Sequence, residues 1–210
     1  LLDDAHFPTG YANGALEGEG VDPALKKTVL KHRTITVVGP QPSTTIKLGN
    51  LMDPTERFVG AAAFDAAGMP LDLALAVEQA DDGTPARLRF DAPAGVTTIE
   101  LYVTSQETGF RDEYINMVDA ASCHVLIDAV YEPTFEHLGD EFGKTILGFF
   151  TDEPGFMNEK GTTLDDASTS SFIGRNDLSL PWSDELARRL RDVLGEDWLT
   201  ELHGLWTREA

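Results

Sequence analysis

Two adjacent carboxylates, Asp152 and Glu153, are the residues of this 210-residue chain best placed to do chemistry. They sit within Lys144 to Asn158, KTILGFFTDEPGFMN, where an apolar run gives way abruptly to two acids and a proline. A carboxyl group crowded by a second carboxylate and by the apolar Phe150 and Phe156 holds its proton to higher pH, as a general acid must. The alternative is that the pair caps the following helix or faces water. Asp3, Asp4 and His6, beside the aromatics Phe7 and Tyr11, form a second candidate group. Carboxylates hydrogen-bond sugar hydroxyls, and aromatic rings cover the C–H face of a sugar. Either aspartate would serve equally well as a turn cap. His6 follows Asp3 at three residues without further His or Cys nearby, which is a poor metal-ligand pattern, so neither a metal nor a cofactor is expected.

Positioning these groups is the task of the surrounding elements. Thr145 to Phe150 is apolar almost throughout, which predicts a strand covered on both faces in a parallel sheet, with Asp152 and Glu153 at its carboxyl end. Ligands bind at that end of the strands in open α/β sheets and in barrels, and Pro154 terminates the strand for want of an N–H. Upstream, Asn116 and Asp119 mark a helix start, and Ala121, Val125, Leu126, Ala129 and Val130 give it an apolar face. Pro133 must kink or split that helix, and Gly143 is placed to end it in a left-handed conformation. Downstream, Gly155 to Pro181 reads as a long loop in which Phe156, Met157, Phe172 and Trp182 offer stacking surface. Ser183 then caps a helix striped by Leu186, Leu190, Val193 and Leu194 and stopped by Gly195. Trp198, Leu202, Leu205 and Trp206 predict a further helix whose aromatics belong to the core.

The first third of the chain is organised differently. Glycines 10, 14, 18 and 20 make a repeatedly turning loop whose spacing is neither that of a phosphate loop nor that of a dinucleotide fingerprint. A short helix is predicted from Asp22 to Lys31. Six β-type runs follow, Thr34 to Val38, Thr44 to Leu48, Phe58 to Phe64, Leu71 to Val77, Ala86 to Phe90 and Thr97 to Thr104, which reads as a small antiparallel sandwich. Leu88 and Phe90 alternate with Arg87 and Arg89. Ile99, Leu101 and Val103 alternate with Glu100 and Tyr102, so each strand is expected to have one core face and one wet face.

Composition excludes some functions. An apolar content of 41% supports a real core, and a net charge of -20 would repel nucleic acid and anionic membrane, favouring a neutral ligand. No run approaches the length of a membrane span. The single Cys123 can form no internal disulfide and reads as a small buried hydrophobe, so a cytoplasmic setting is favoured. The chain opens on Leu1 without Met and ends without a helix stop, so it is expected to be a piece of a longer polypeptide whose remainder is its partner.

The segment FGKTILGFFTDEP, preceded by YINMVDAASCHVLIDAVYEPTFEHLGDE and followed by LPWSDELARRLRDVLGEDWL, resembles a group of large bacterial proteins related to glycoside hydrolases. DDAHFPTGYANG resembles the loop after an earlier barrel strand in the same group. The likeness covers roughly Leu1 to Lys31 and Tyr114 to Trp206. It implies an α/β plus all-β chain: partial (β/α)8 barrel segments at residues 1–33 and 109–210, flanking an antiparallel β-sandwich inserted at 34–108. It also implies that Glu153 is the general acid/base, with Asp152 standing where retaining barrel glycosidases of clan A usually have Asn. Asp152, Asp3, Asp4, His6 and Phe156 would then bind a neutral carbohydrate. Two strands of eight close no barrel, so the chain alone is expected to be catalytically incomplete. The competing expectations are a noncatalytic carbohydrate-binding or scaffold module and, on weaker ligand spacing, a metal-dependent hydrolase using Asp3, Asp4, His6 and Asp152.

Overall fold

The alternating stretch from Thr34 to Thr104 forms sheet in the computed structural model, which describes residues 8–107, 111–151 and 179–207. The strands are β1 (Val29–Lys47), β2 (Arg57–Asp65), β3 (Ala76–Gln79), β4 (Pro85–Ser105) and the two-residue β5 (Leu180–Pro181). They make one five-stranded sheet in the order β2-β4-β1-β5, with β3 paired to β4. The runs Thr34 to Val38 and Thr44 to Leu48 are joined in β1, and Ala86 to Phe90 and Thr97 to Thr104 in β4. The pairings of β4 with β2 and with β3 are antiparallel. The expected two-layer sandwich is therefore a single sheet that curls into a half-barrel.

The expected (β/α)8 segments are overturned as well. Among the described residues strands and helices do not alternate as in such a barrel. The decisive stretch is Thr145 to Phe150, which forms no strand: Ile146 makes an isolated parallel bridge to Phe142 and is buried, whereas Leu147 is 81% exposed. A strand covered on both faces needs a neighbour on each side, and no strand flanks this one among the described residues.

The described residues fall into two compact units, one drawn from Leu1–Val29, Gln106–Thr162 and Pro181–Arg188, the other from Leu30–Ser105, Thr163–Leu180 and Arg189–Ala210. The second unit is built on the sheet. Leu88, Phe90, Ile99, Leu101 and Val103 are buried in one cluster with Leu48, Ala63 and Ala92. Even-numbered residues of β4 face this core as far as Ala92, and odd-numbered ones face it from Ile99 onward. A strand that changes parity must take up an extra residue. Gly95 lies within that interval at φ +101, a backbone conformation nearly reserved for glycine. The other face of the same strands is not wet. Glu100 and Tyr102 are buried, and their β2 partners are Ala62 and Gly60. A Cβ on Gly60 would come within 2.6 Å of Leu199 Cδ1, so the small residues of β2 make room for the helices α4 (Trp198–Leu202) and α5 (Gly204–Thr207).

The first unit is helical and held by hydrogen bonds between distant segments. Asp119 caps α1 (Ala120–Leu126) by accepting from Ser122 N at 2.9 Å. The chain continues through a wider π-type turn, Ile127–Tyr131, into α2 (Glu132–Leu138). That turn lies just ahead of Pro133, where a regular helix would lose a hydrogen bond and clash with the preceding turn. Val125, Leu126 and Ala129 pack on a core of Ala12, Leu16, Tyr114 and Ile115. Gly143 takes the expected left-handed conformation, at φ +78. The predicted helix from Asp22 to Lys31 is only a turn, Pro23–Leu25, with Asp22 accepting from Ala24 N at 2.9 Å. Pairing wins over helix propensity there: Lys26 bridges Ile115, Lys27 N donates to Tyr114 O at 2.8 Å, and β1 begins at Val29. Asn116, read from the sequence as a helix start, is a buried junction. Its N–H donates to Ser122 Oγ at 2.7 Å and its side-chain Nδ2 donates to Trp182 O at 2.8 Å. Trp182 N donates in turn to Thr28 O at 2.9 Å. Ser183 caps α3 (Asp184–Leu194) as expected, accepting from Leu186 N at 3.0 Å, while its hydroxyl donates to Val118 O at 2.7 Å. The stripe on α3 is only partly covered, since Val193 and Leu194 are exposed.

Candidate functional site

The residues selected from the sequence, Asp3, Asp4, His6, Asp152, Glu153 and Phe156, all lie outside the described residues. What is described is the approach to the acidic pair. Phe149 meets Tyr131 edge-on at 4.7 Å between ring centres and lies 5.7 Å from Phe142, which lies 5.5 Å from Phe135. The backbone two residues before Thr151 is thus fixed to the π-type turn and to the segment after α2. The next ring, Phe150, is 47% exposed. A held aromatic is thus followed by an uncovered one, with Thr151 between it and the two acids in the sequence.

A second constellation lies entirely in the sheet unit. It is centred on Glu100, which β4 carries on the face opposite the apolar core. Its side chain is 3% exposed. Glu100 Oε2 pairs with His32 Nδ1 at 2.9 Å, and Oε1 accepts from the Thr34 hydroxyl at 2.9 Å. His203 Nδ1 stands 3.9 Å from the same Oε1. Each imidazole is backed by an aromatic ring: His32 stacks on Trp206 at 4.7 Å, and His203 on Phe64 at 4.1 Å. The positions follow from strand parity. His32 and Thr34 share one face of β1, while Lys31 and Arg33 point to the other and pair with Glu56 at 3.8 and 2.9 Å.

The electrostatics follow from burial. His203 binds its proton less readily than an ordinary histidine because it is desolvated, with Glu100 opposing the effect and His32 adding to it. The Tyr102 hydroxyl is held far above the usual phenol range by burial and secondarily by the Glu100 charge. That hydroxyl has no hydrogen-bond partner among the described residues. The arrangement ties α4 and α5 to the sheet.

Sequence reasoning missed this constellation because Glu100 and Tyr102 alternate with apolar residues as a wet face would. The signal was in β2. Gly60 and Ala62, which share a face of β2 opposite Tyr102 and Glu100, are unnecessarily small opposite water and necessarily small opposite packed helices. Cys123 is half-buried, and its thiol is pushed up by burial and then by Asp119 and Glu185, as suits an inert structural thiol. Among the described residues, no group of three or more His, Cys, Asp or Glu is arranged to hold a metal ion. None of their helices is long and apolar enough to cross a membrane.

No protein-family model matches this chain, and no match is found among curated proteins or solved structures.

Proposed function

We propose that this chain is part of a protein that hydrolyses a neutral carbohydrate, with Glu153 as general acid/base and the chain alone catalytically incomplete. The observation that supports this reading is the approach to the acidic pair. Phe149 is clamped by Tyr131 and Phe142, Phe150 is exposed, and the run then meets Asp152 and Glu153. A glycosidic oxygen leaves poorly unless protonated, so a carboxyl group whose neighbours raise its pKa supplies what the reaction lacks. An aromatic face beside it suits a sugar ring, with Asp3, Asp4, His6 and Phe156 as further contacts. The net charge of -20 favours such a neutral substrate over a polyanion.

The test compares leaving groups. In the whole polypeptide, Glu153→Gln should lower kcat about 10² to 10⁴-fold on glycosides with poor leaving groups and far less on activated aryl glycosides. Equal losses on both would remove Glu153 from the acid role. A second reading, a noncatalytic carbohydrate-binding or scaffold module, is favoured by the sheet unit, which has its own core and engages Glu56 and Glu100 in internal pairs. Sugar binding that survives loss of Asp152 and Glu153 but fails when sheet residues are changed would select it.

A further inference from the structure

We propose that the joint between the α4–α5 segment and the sheet is an acid-sensitive clasp, closed near neutral pH and loosened when His203 takes up a proton. The geometry carries this. His203 belongs to the chain between α4 and α5, and on its far side it meets the sheet at Phe64 and at Glu100. Glu100 is the carboxylate available to a protonated His203, and it is already engaged: His32 lies closer, at 2.9 against 3.9 Å, and Thr34 uses the oxygen that faces His203. The titratable groups facing His203 from the packed elements are therefore Glu100 on β4 and His32 on β1. From β2 comes only the uncharged ring of Phe64. On its own segment, Glu201 is exposed.

A proton on His203 places a cation beside a carboxylate that His32 and Thr34 already engage, in a site walled by aromatic rings. Water outside solvates that charge better, so protonation favours the released segment. The sign follows from the depressed proton affinity of His203 in the fold. Its stabilising contribution is present above the unfolded value, about 6.5, and is lost as pH falls from there toward the folded value.

The test is hydrogen exchange of the full chain at several pH values, corrected for intrinsic exchange rates. Opening of residues 198–207 should increase on acidification below about pH 6.5, by at most about tenfold per pH unit for one proton. The paired residues of β2 and β4 should keep their protection. His203→Gln, which cannot titrate, should flatten the dependence. Equal responses in both proteins, or release of the helices and the sheet together, would overturn the proposal. Should the variant not fold, an NMR titration of His203 in the unaltered chain decides: a folded pKa at or above the unfolded value overturns the clasp, and one below it supports the clasp.

Discussion

Replacing Gly39 by alanine tests how closely two backbone segments of the sheet approach. A Cβ at Gly39 would lie 1.9 Å from Pro93 O and 2.9 Å from both Ala92 O and Pro93 C. An ordinary carbon-to-carbonyl-oxygen contact is about 3.3 Å, so the segments must part by roughly 1.4 Å. Neither side can yield by turning a side chain, because the atoms in the way are main chain. Overpacking of this kind costs about 1–3 kcal/mol, and each ladder hydrogen bond lost with it adds about 0.5–1.5 kcal/mol. The gain from replacing glycine inside a strand, about 0.5–1 kcal/mol, offsets part of this. The expected net loss is about 3 kcal/mol, or roughly 6–12 °C in Tm for a chain of this size, read by circular dichroism on heating. Two comparisons make the reasoning sharp. At Gly60 the obstacle is the methyl end of Leu199, 2.6 Å away, which can rotate, so Gly60→Ala should cost about 1 kcal/mol. At Gly49 nothing lies within 4 Å, and Gly49→Ala should stay within about 0.5 kcal/mol of the parent. A Gly39→Ala protein melting within about 2 °C of the parent, or a Gly49→Ala protein as damaged as Gly39→Ala, would refute the steric argument.

Tyr102→Phe removes a buried hydroxyl without a partner among the described residues and keeps the ring against Trp206, 5.9 Å between centres. It should raise stability by about 0.5–2 kcal/mol in urea unfolding, and a loss of stability would mean that the hydroxyl is satisfied. Cys123 should react slowly with iodoacetamide at pH 8 compared with a free thiol, its rate still climbing above pH 9, because burial and the charges of Asp119 and Glu185 hold back the thiolate. A rate plateau below pH 8 would contradict that.

How much of this was legible in the sequence depended on whether local pattern or distant partners decided the outcome. The cap at Ser183 was readable because it accepts from a backbone N–H three residues on, whereas the cap expected at Asn116 falls three residues later, on Asp119. The core positions Leu88, Phe90, Ile99, Leu101 and Val103 were readable from period-two alternation, and Trp198, Leu202 and Trp206 from helical spacing. Alternation gives which side chains share a face and not what covers the opposite one, so Glu100 and Tyr102 were assigned to water. Nor does it distinguish two strands from one bent strand. The same limit applied at Thr145 to Phe150: an apolar run implies burial only if neighbours exist to bury it, and among the described residues Ile146 is covered whereas Leu147 is not. The helix expected from Asp22 to Lys31 had the right start at Pro23 but lost to pairing with a segment almost ninety residues away, at Tyr114 and Ile115. The proposed acid and its neighbours rest on residue type and spacing.

The junction at Asn116 and Trp182 bears on the order in which the molecule can be made. Thr28 O receives its bond from Trp182 N, and Asn116 reaches the same tryptophan's carbonyl, so Thr28 waits for a segment synthesised roughly 150 residues later. At about 5–20 residues per second that is on the order of ten seconds or more. During that interval a ribosome-bound chain would have most of the sheet's sequence but a helical unit without the bonds that Trp182 makes. Until then the segments carrying Thr28 and Asn116 lack these partners and stay open to proteases and to mispairing.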